Sequence, residues 1–68
     1  MKIEFSTREY EFSHGKMPKG WGYWGFTFEG HEFWATGTYA EAKKACRQEI
    51  KRLAPEGYDG YVIVNVLT

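Results

Sequence analysis

The sequence predicts an α+β two-layer sandwich, β-β-β-α-β. One helix packs on one face of a four-stranded, mainly antiparallel sheet in the order 3-2-1-4. Three observations carry this. Two aromatic stretches with period-two alternation flank a glycine turn. One stretch of helical spacing carries its own capping signal. A β-branched run, "YVIVNVL", lies near the C-terminal end. Alternation at period two marks strands, and steps of three and four mark a helix.

The first strand is expected over residues 2–12, "KIEFSTREYEF". Ile3 and Phe5 form one apolar pair and Tyr10 and Phe12 another, and the phase slips by one between them. That slip predicts a bulge or break near Thr7 to Glu9. Residues 13–20, "SHGKMPKG", read as a loop punctuated by Gly15, Pro18 and Gly20. The second strand is "WGYWGFTFE", residues 21–29, and the third is "EFWAT". A two-residue turn, Glu29-Gly30 or Gly30-His31, joins them as a hairpin. With Glu29-Gly30 central, Phe26 faces Phe33; with Gly30-His31 central, Phe28 does. In either case Trp24, Phe26, Phe28, Phe33 and Ala35 share one side, and Trp21, Tyr23, Gly25, Thr27 and Trp34 share the other.

Residues 38–54 form the expected helix. Thr38 is the N-cap and Glu41, three positions on, completes a capping box. Tyr39, Ala42, Cys46, Ile50 and Leu53 make one apolar stripe. Pro55 and Gly57 stop the helix, and Asp59-Gly60 is a turn. The run from Tyr61 to Leu67 suits a buried strand. A right-handed crossover returns it parallel to the third strand, and the roomiest placement sets it beside the first.

Sixty-eight residues make a single domain, spanning 1–68, with a small core. Three Trp, five Tyr and five Phe compensate, since each large ring buries roughly 150–250 Å². Nine basic residues balance nine acidic ones, so no global field draws the chain to nucleic acid or membrane. The lone cysteine, Cys46, allows no internal disulfide. No apolar run approaches the ~20 residues that span a bilayer. With Met1 followed by charged residues, the chain reads as a complete cytoplasmic protein without a signal peptide.

"GWGYWG", residues 20–25, fits the G-x-G-x-x-G pattern of a dinucleotide phosphate loop. That loop needs a strand before it and a helix opening at its end. Here the glycines fall inside a strand, so they are expected to make room for rings. Trp34, on the Gly25 side, is placed to lie over that bare backbone. His14 and His31 read as exposed turn histidines, because no ligand cluster for a metal accompanies them. Cys46 reads as a small buried hydrophobe. Glu4, Glu9, Glu11, Glu29 and Glu32 are scattered over strands and a turn, without a cleft to pair them. Neither a cofactor nor catalysis is expected.

Two surfaces remain as candidates. One helix leaves the opposite sheet face bare, showing Trp21, Tyr23 and Trp34, joined by Tyr61 and Ile63, with Glu29 and Glu32 as a polar rim. Exposed apolar patches of this kind mark interaction sites. The second surface is Lys43, Arg47 and Lys51, aligned at four-residue steps on the helix as a possible phosphate-contacting stripe. It lies on the other side of the sheet from the aromatic face, where only Lys16 and Lys19 flank the rings.

The segment "KGWGYWGFTF…FWATGTYAEAKKA", residues 19–45, resembles a pattern in small proteins of phages and mobile elements. It runs G-x-W-x-F, a second aromatic strand, then G-T-Y-x-E-A-K-x-A opening a helix. The resemblance brings no catalytic residues. It implies a size class that includes anti-CRISPR inhibitors, which bind a host complex stoichiometrically. The neutral charge departs from the acidic character of inhibitors that mimic DNA. The leading expectation is a non-catalytic protein-binding module acting by surface occlusion on a host protein or complex. The alternatives are nucleic-acid binding through the helix stripe and a homodimer through the aromatic sheet face.

Overall fold

A strand that is apolar on both sides belongs in the middle of a sheet, and the β-branched run takes that place. The computed structural model describes residues 1–54 and 60–67. Its elements are β1 (Lys2–Ser6), α1 (Arg8–His14), β2 (Trp21–Phe28), β3 (His31–Thr38), α2 (Tyr39–Leu53) and β4 (Tyr61–Val66). The sheet is mixed and ordered β1-β4-β2-β3. β1 runs parallel to β4, while β2 is antiparallel to both β4 and β3.

The α+β class holds, and β1 does lie beside β4. The order 3-2-1-4 does not hold, because β4 inserts between β1 and β2. Val62, Val64 and Val66 are buried on its inner side, with Ile63 on the other. β1, which carries Lys2 and Glu4, goes to the edge, where charge is tolerated. The chain between β1 and β2, residues 7–20, is long enough to pass β4.

The second correction is α1. Tyr10 and Phe12 are not strand residues; they sit on a short helix, so the described residues form two helices. Two positions apart on a helix means nearly opposite sides. Tyr10 is accordingly buried, and Phe12 is 94% exposed. The break foreseen near Thr7 is the end of β1. Thr7 C=O accepts from Glu11 N–H at 2.8 Å, and Thr7 Oγ1 donates to Glu11 Oε2 at 2.6 Å. Gly15 closes the helix with φ of 70°, its N–H bonded to the Glu11 carbonyl. A left-handed residue after the last turn is the usual helix stop.

The hairpin uses Glu29-Gly30. Both residues have positive φ, 48° and 78°, as a type I′ turn requires. Phe26 therefore faces Phe33, and Gly25 faces Trp34. Strand β3 extends to Thr38, further than "EFWAT", and passes directly into α2. The capping box is formed: Glu41 N–H donates to Thr38 Oγ1 at 3.1 Å, and Thr38 N–H to Glu41 Oε1 at 3.0 Å. Ala42, Cys46 and Ile50 of the stripe are buried, but Leu53 is exposed. The helix stop at Pro55 and Gly57 and the turn at Asp59 lie outside the described residues.

The core is one cluster on one side of the sheet. Trp24, Phe26 and Phe28 of β2 meet Val62, Val64 and Val66 of β4, beneath Ala42, Cys46 and Ile50 of α2. Tyr10 of α1 enters the same cluster, its ring 5.7 Å from that of Trp24. Trp24 also packs on Tyr39 at 5.1 Å, and its Nε1 donates to the Gly37 carbonyl at 3.0 Å. Both helices thus contribute to one face.

Candidate functional site: the outer face of the sheet

Strand alternation delivers the outer residues. Trp21, Tyr23 and Gly25 of β2 lie across from Thr38, Thr36 and Trp34 of β3. Trp21 is 76% exposed and Tyr23 60%. Trp34 is half-buried, because its ring leans back over Gly25. A Cβ built on Gly25 would come within 2.4 Å of that ring. Glycine is needed there to admit the tryptophan, which is the room-making role read from the sequence. Gly22 differs, since a Cβ there would meet Trp24 at an ordinary 3.7 Å.

The Tyr23 and Trp34 rings stack at 5.0 Å with 22° between their planes. Trp34 Nε1 donates to Glu32 Oε1 at 2.7 Å. The indole is thereby held on three sides: by a glycine beneath, a tyrosine beside it and a carboxylate at its edge. Little rotamer freedom remains to be lost on binding, which favours an anchor. Trp21 stands free next to this pair. Glu32 and Glu29 are exposed, Glu32 along β3 and Glu29 at the hairpin tip.

Tyr61 and Ile63 are also exposed, but they do not join this patch. The register pairs Thr27 with Asn65, so this polar pair lies between Tyr23 and the Tyr61–Ile63 end. Tyr61 Oη donates to Glu4 Oε2. The face thus carries a larger aromatic patch at one end and a smaller one at the other.

The cationic stripe is partly engaged in packing. Lys43 Nζ lies 4.7 Å from the Tyr39 ring centroid and 5.9 Å from that of Phe5, and Arg47 Cζ lies 5.0 Å from Phe5. Such contacts are worth roughly 0.5–1 kcal/mol at exposed sites. Lys51 is exposed, and Arg52 forms an ion pair with Glu49 at 2.9 Å. That pair holds the Glu49 carboxyl below its ordinary range.

The remaining candidates fall into structural roles. Burial pushes the Cys46 thiol up to about 12, so it stays protonated at neutral pH. Burial also raises the Tyr39 phenol, against the opposing charge of Arg47. His14 is not in a loop but ends α1, stacked on Tyr10 at 4.1 Å; His31 opens β3, 5.6 Å from Phe28. Glu9 and Glu11 lie on α1 rather than on a strand. Among the described residues no three His, Cys, Asp or Glu side chains gather as metal ligands. None of the described helices is long and apolar enough to cross a membrane.

One exposed residue escaped the sequence reading as a surface feature. Phe12 projects from α1 beside a groove lined by Ser6, Arg8, Glu9, Ser13 and Asn65. The signal was the Gly15 stop, which places a helix before it. No family model, curated protein or solved structure matches the chain.

Proposed function

We propose that the protein is a non-catalytic protein-binding module that occludes a partner's surface with the Trp21–Tyr23–Trp34 patch. The observation that carries this reading is the exposure of Trp21 and Tyr23 beside a tryptophan already held in place. Tryptophan and tyrosine dominate the energetically decisive positions of protein interfaces. Each large ring can bury roughly 150–250 Å², against roughly 800 Å² per side in a standard interface. The anchors thus supply part of the area, and polar neighbours such as Glu32, Glu29 and Thr36 supply the rim. In its finer form the reading makes the protein a phage-encoded inhibitor of a host defence complex in the bacterial cytoplasm. That form rests on the resemblance of residues 19–45 alone.

The test is affinity capture from a bacterial lysate, with and without nuclease. The reading expects a protein partner that is retained after nuclease treatment and lost with Trp21→Ala. Capture that disappears with nuclease, or that survives Trp21→Ala unchanged, contradicts it.

A further inference from the structure

We infer that β3 is a dimerisation edge, along which a second copy of the chain adds antiparallel to make one continuous eight-stranded sheet. The inference concerns the strand's backbone and does not depend on the function proposed for the aromatic face.

The hydrogen bonds fix which groups are free. Tyr39 N–H donates to the Gly20 carbonyl at 2.9 Å, and Leu67 N–H to the Gly25 carbonyl at 2.8 Å. Bonded pairs in an antiparallel ladder recur every second residue. In β3 the odd-numbered residues therefore bond β2, and Glu32, Trp34 and Thr36 turn their N–H and C=O groups away from the sheet. Thr38 N–H faces the same way but is taken by Glu41. The free edge is thus three residues long.

Nothing guards it. An unpaired edge is normally blunted by lysine, proline, a bulge or a short length. Residues 31–38 contain no lysine and no proline, and Glu32 is their one acidic or basic side chain apart from His31. The Trp34 ring leans inward over Gly25, away from the edge. The other edge is different. β1 is five residues long, and Lys2 N–H donates to the Gly60 carbonyl at 3.0 Å. This leaves only Ile3 and Phe5 facing out, with Lys43 and Arg47 over the Phe5 ring. Two side chains of α2 thus reach over β1, while Phe33 and Ala35 on the β3 side stay only half-buried.

The strand is self-complementary in one register. With Trp34 opposite its own copy about a two-fold axis, Glu32 meets Thr36 of the second copy, and Thr36 meets its Glu32. All three outward residues of each strand then bond, giving six main-chain hydrogen bonds. Phe33 meets Ala35 and His31 meets Gly37, large against small on each pair. No like charges face each other. A register centred on Glu32 would oppose two carboxylates and lose most of the bonds. The zero net charge adds no repulsion between copies. The outer faces of both copies then lie on the same side, with two Tyr23–Trp34 stacks adjacent.

Thr36 is exposed on the outer face, so charges placed there read out the register without entering the core. Sedimentation equilibrium of the wild-type chain is expected to show the mass rising with concentration from 7.9 kDa towards its double. Thr36→Glu sets glutamates opposite Glu32 twice and weakens the dimer by roughly tenfold; Thr36→Lys sets opposite charges there and tightens it. Independently, amide hydrogen exchange at Glu32, Trp34 and Thr36 slows on concentrating the wild type, while Ile3 and Phe5 do not change. A monomer at every concentration overturns the inference and leaves the edge to a strand of another protein. A dimer that responds alike to both substitutions, or that forms with unchanged edge amides, also overturns it. A dimer lost with Trp21→Ala and indifferent to Thr36→Glu would belong to the aromatic face.

Discussion

Trp21 and Trp24 belong to the same strand, yet one is 76% exposed and the other 4%. Trp24 is surrounded by Tyr10 and Tyr39 and bonds the Gly37 carbonyl. Trp21 projects from the face that neither helix packs against. The comparison teaches that aromatic content alone does not measure a small core. Part of it holds the fold, and part is left over at a face that neither described helix covers. In a domain this small, leaving large rings in water forgoes stabilisation of about 25 cal/mol per Å². Under the proposed function, a partner that covers the face would recover that burial.

The sharpest contrast between the two faces is in stability. Phe26 is fully buried, and Phe26→Ala is expected to cost about 3–5 kcal/mol. A chain of this length has a total of only about 3–10 kcal/mol at typical values per residue. Circular dichroism should therefore show the variant largely unfolded. A folded variant with a slightly lowered midpoint would mean that the inner face is not the core.

Gly25→Ala tests the outer face where it is most structured. The added Cβ collides with the Trp34 ring, so the ring must leave its place and its stack with Tyr23. Overpacking of this kind costs about 1–3 kcal/mol, read as a lower urea midpoint with a change in tryptophan fluorescence. An unchanged spectrum would show that Trp34 does not cover the glycine.

Thr38→Ala removes the capping box where the two faces meet, with an expected loss of about 1 kcal/mol. The same box gives a pH signature. The backbone and hydroxyl of Thr38 hold the Glu41 carboxyl below its ordinary 4.5. Its stabilisation is therefore complete above that value and is lost as the pH falls through the lower folded one. Acid titration of the wild type and of Glu41→Gln, which keeps the shape but not the charge, should diverge above that window and converge below it.

Much of this division was legible in the sequence, because alternation assigns sides without knowledge of neighbours. Trp24, Phe26 and Phe28 fell on one side and Trp21, Tyr23 and Trp34 on the other, and the capping box fixed the start of α2. What sequence spacing does not carry is which strands sit together. Placing β4 beside β1 was right, but its place next to β2 follows from burying an apolar strand on both sides. That is a property of the whole sheet. The same gap joined Tyr61 and Ile63 to the aromatic patch, since only the β2–β4 register puts Thr27 and Asn65 between them. Helix α1 was missed because a helix of about two turns shows too few residues to display its period. Tyr10 and Phe12, two apart, imitate a strand.

The most direct measurement is urea unfolding of Trp21→Ala beside Trp24→Ala. The account predicts that Trp21→Ala shifts stability by less than about 0.5 kcal/mol, as for a surface position. Trp24→Ala is predicted to lose about 3–5 kcal/mol. If Trp21→Ala destabilises the chain as much as Trp24→Ala, the outer rings serve the fold, and the face is not free to bind.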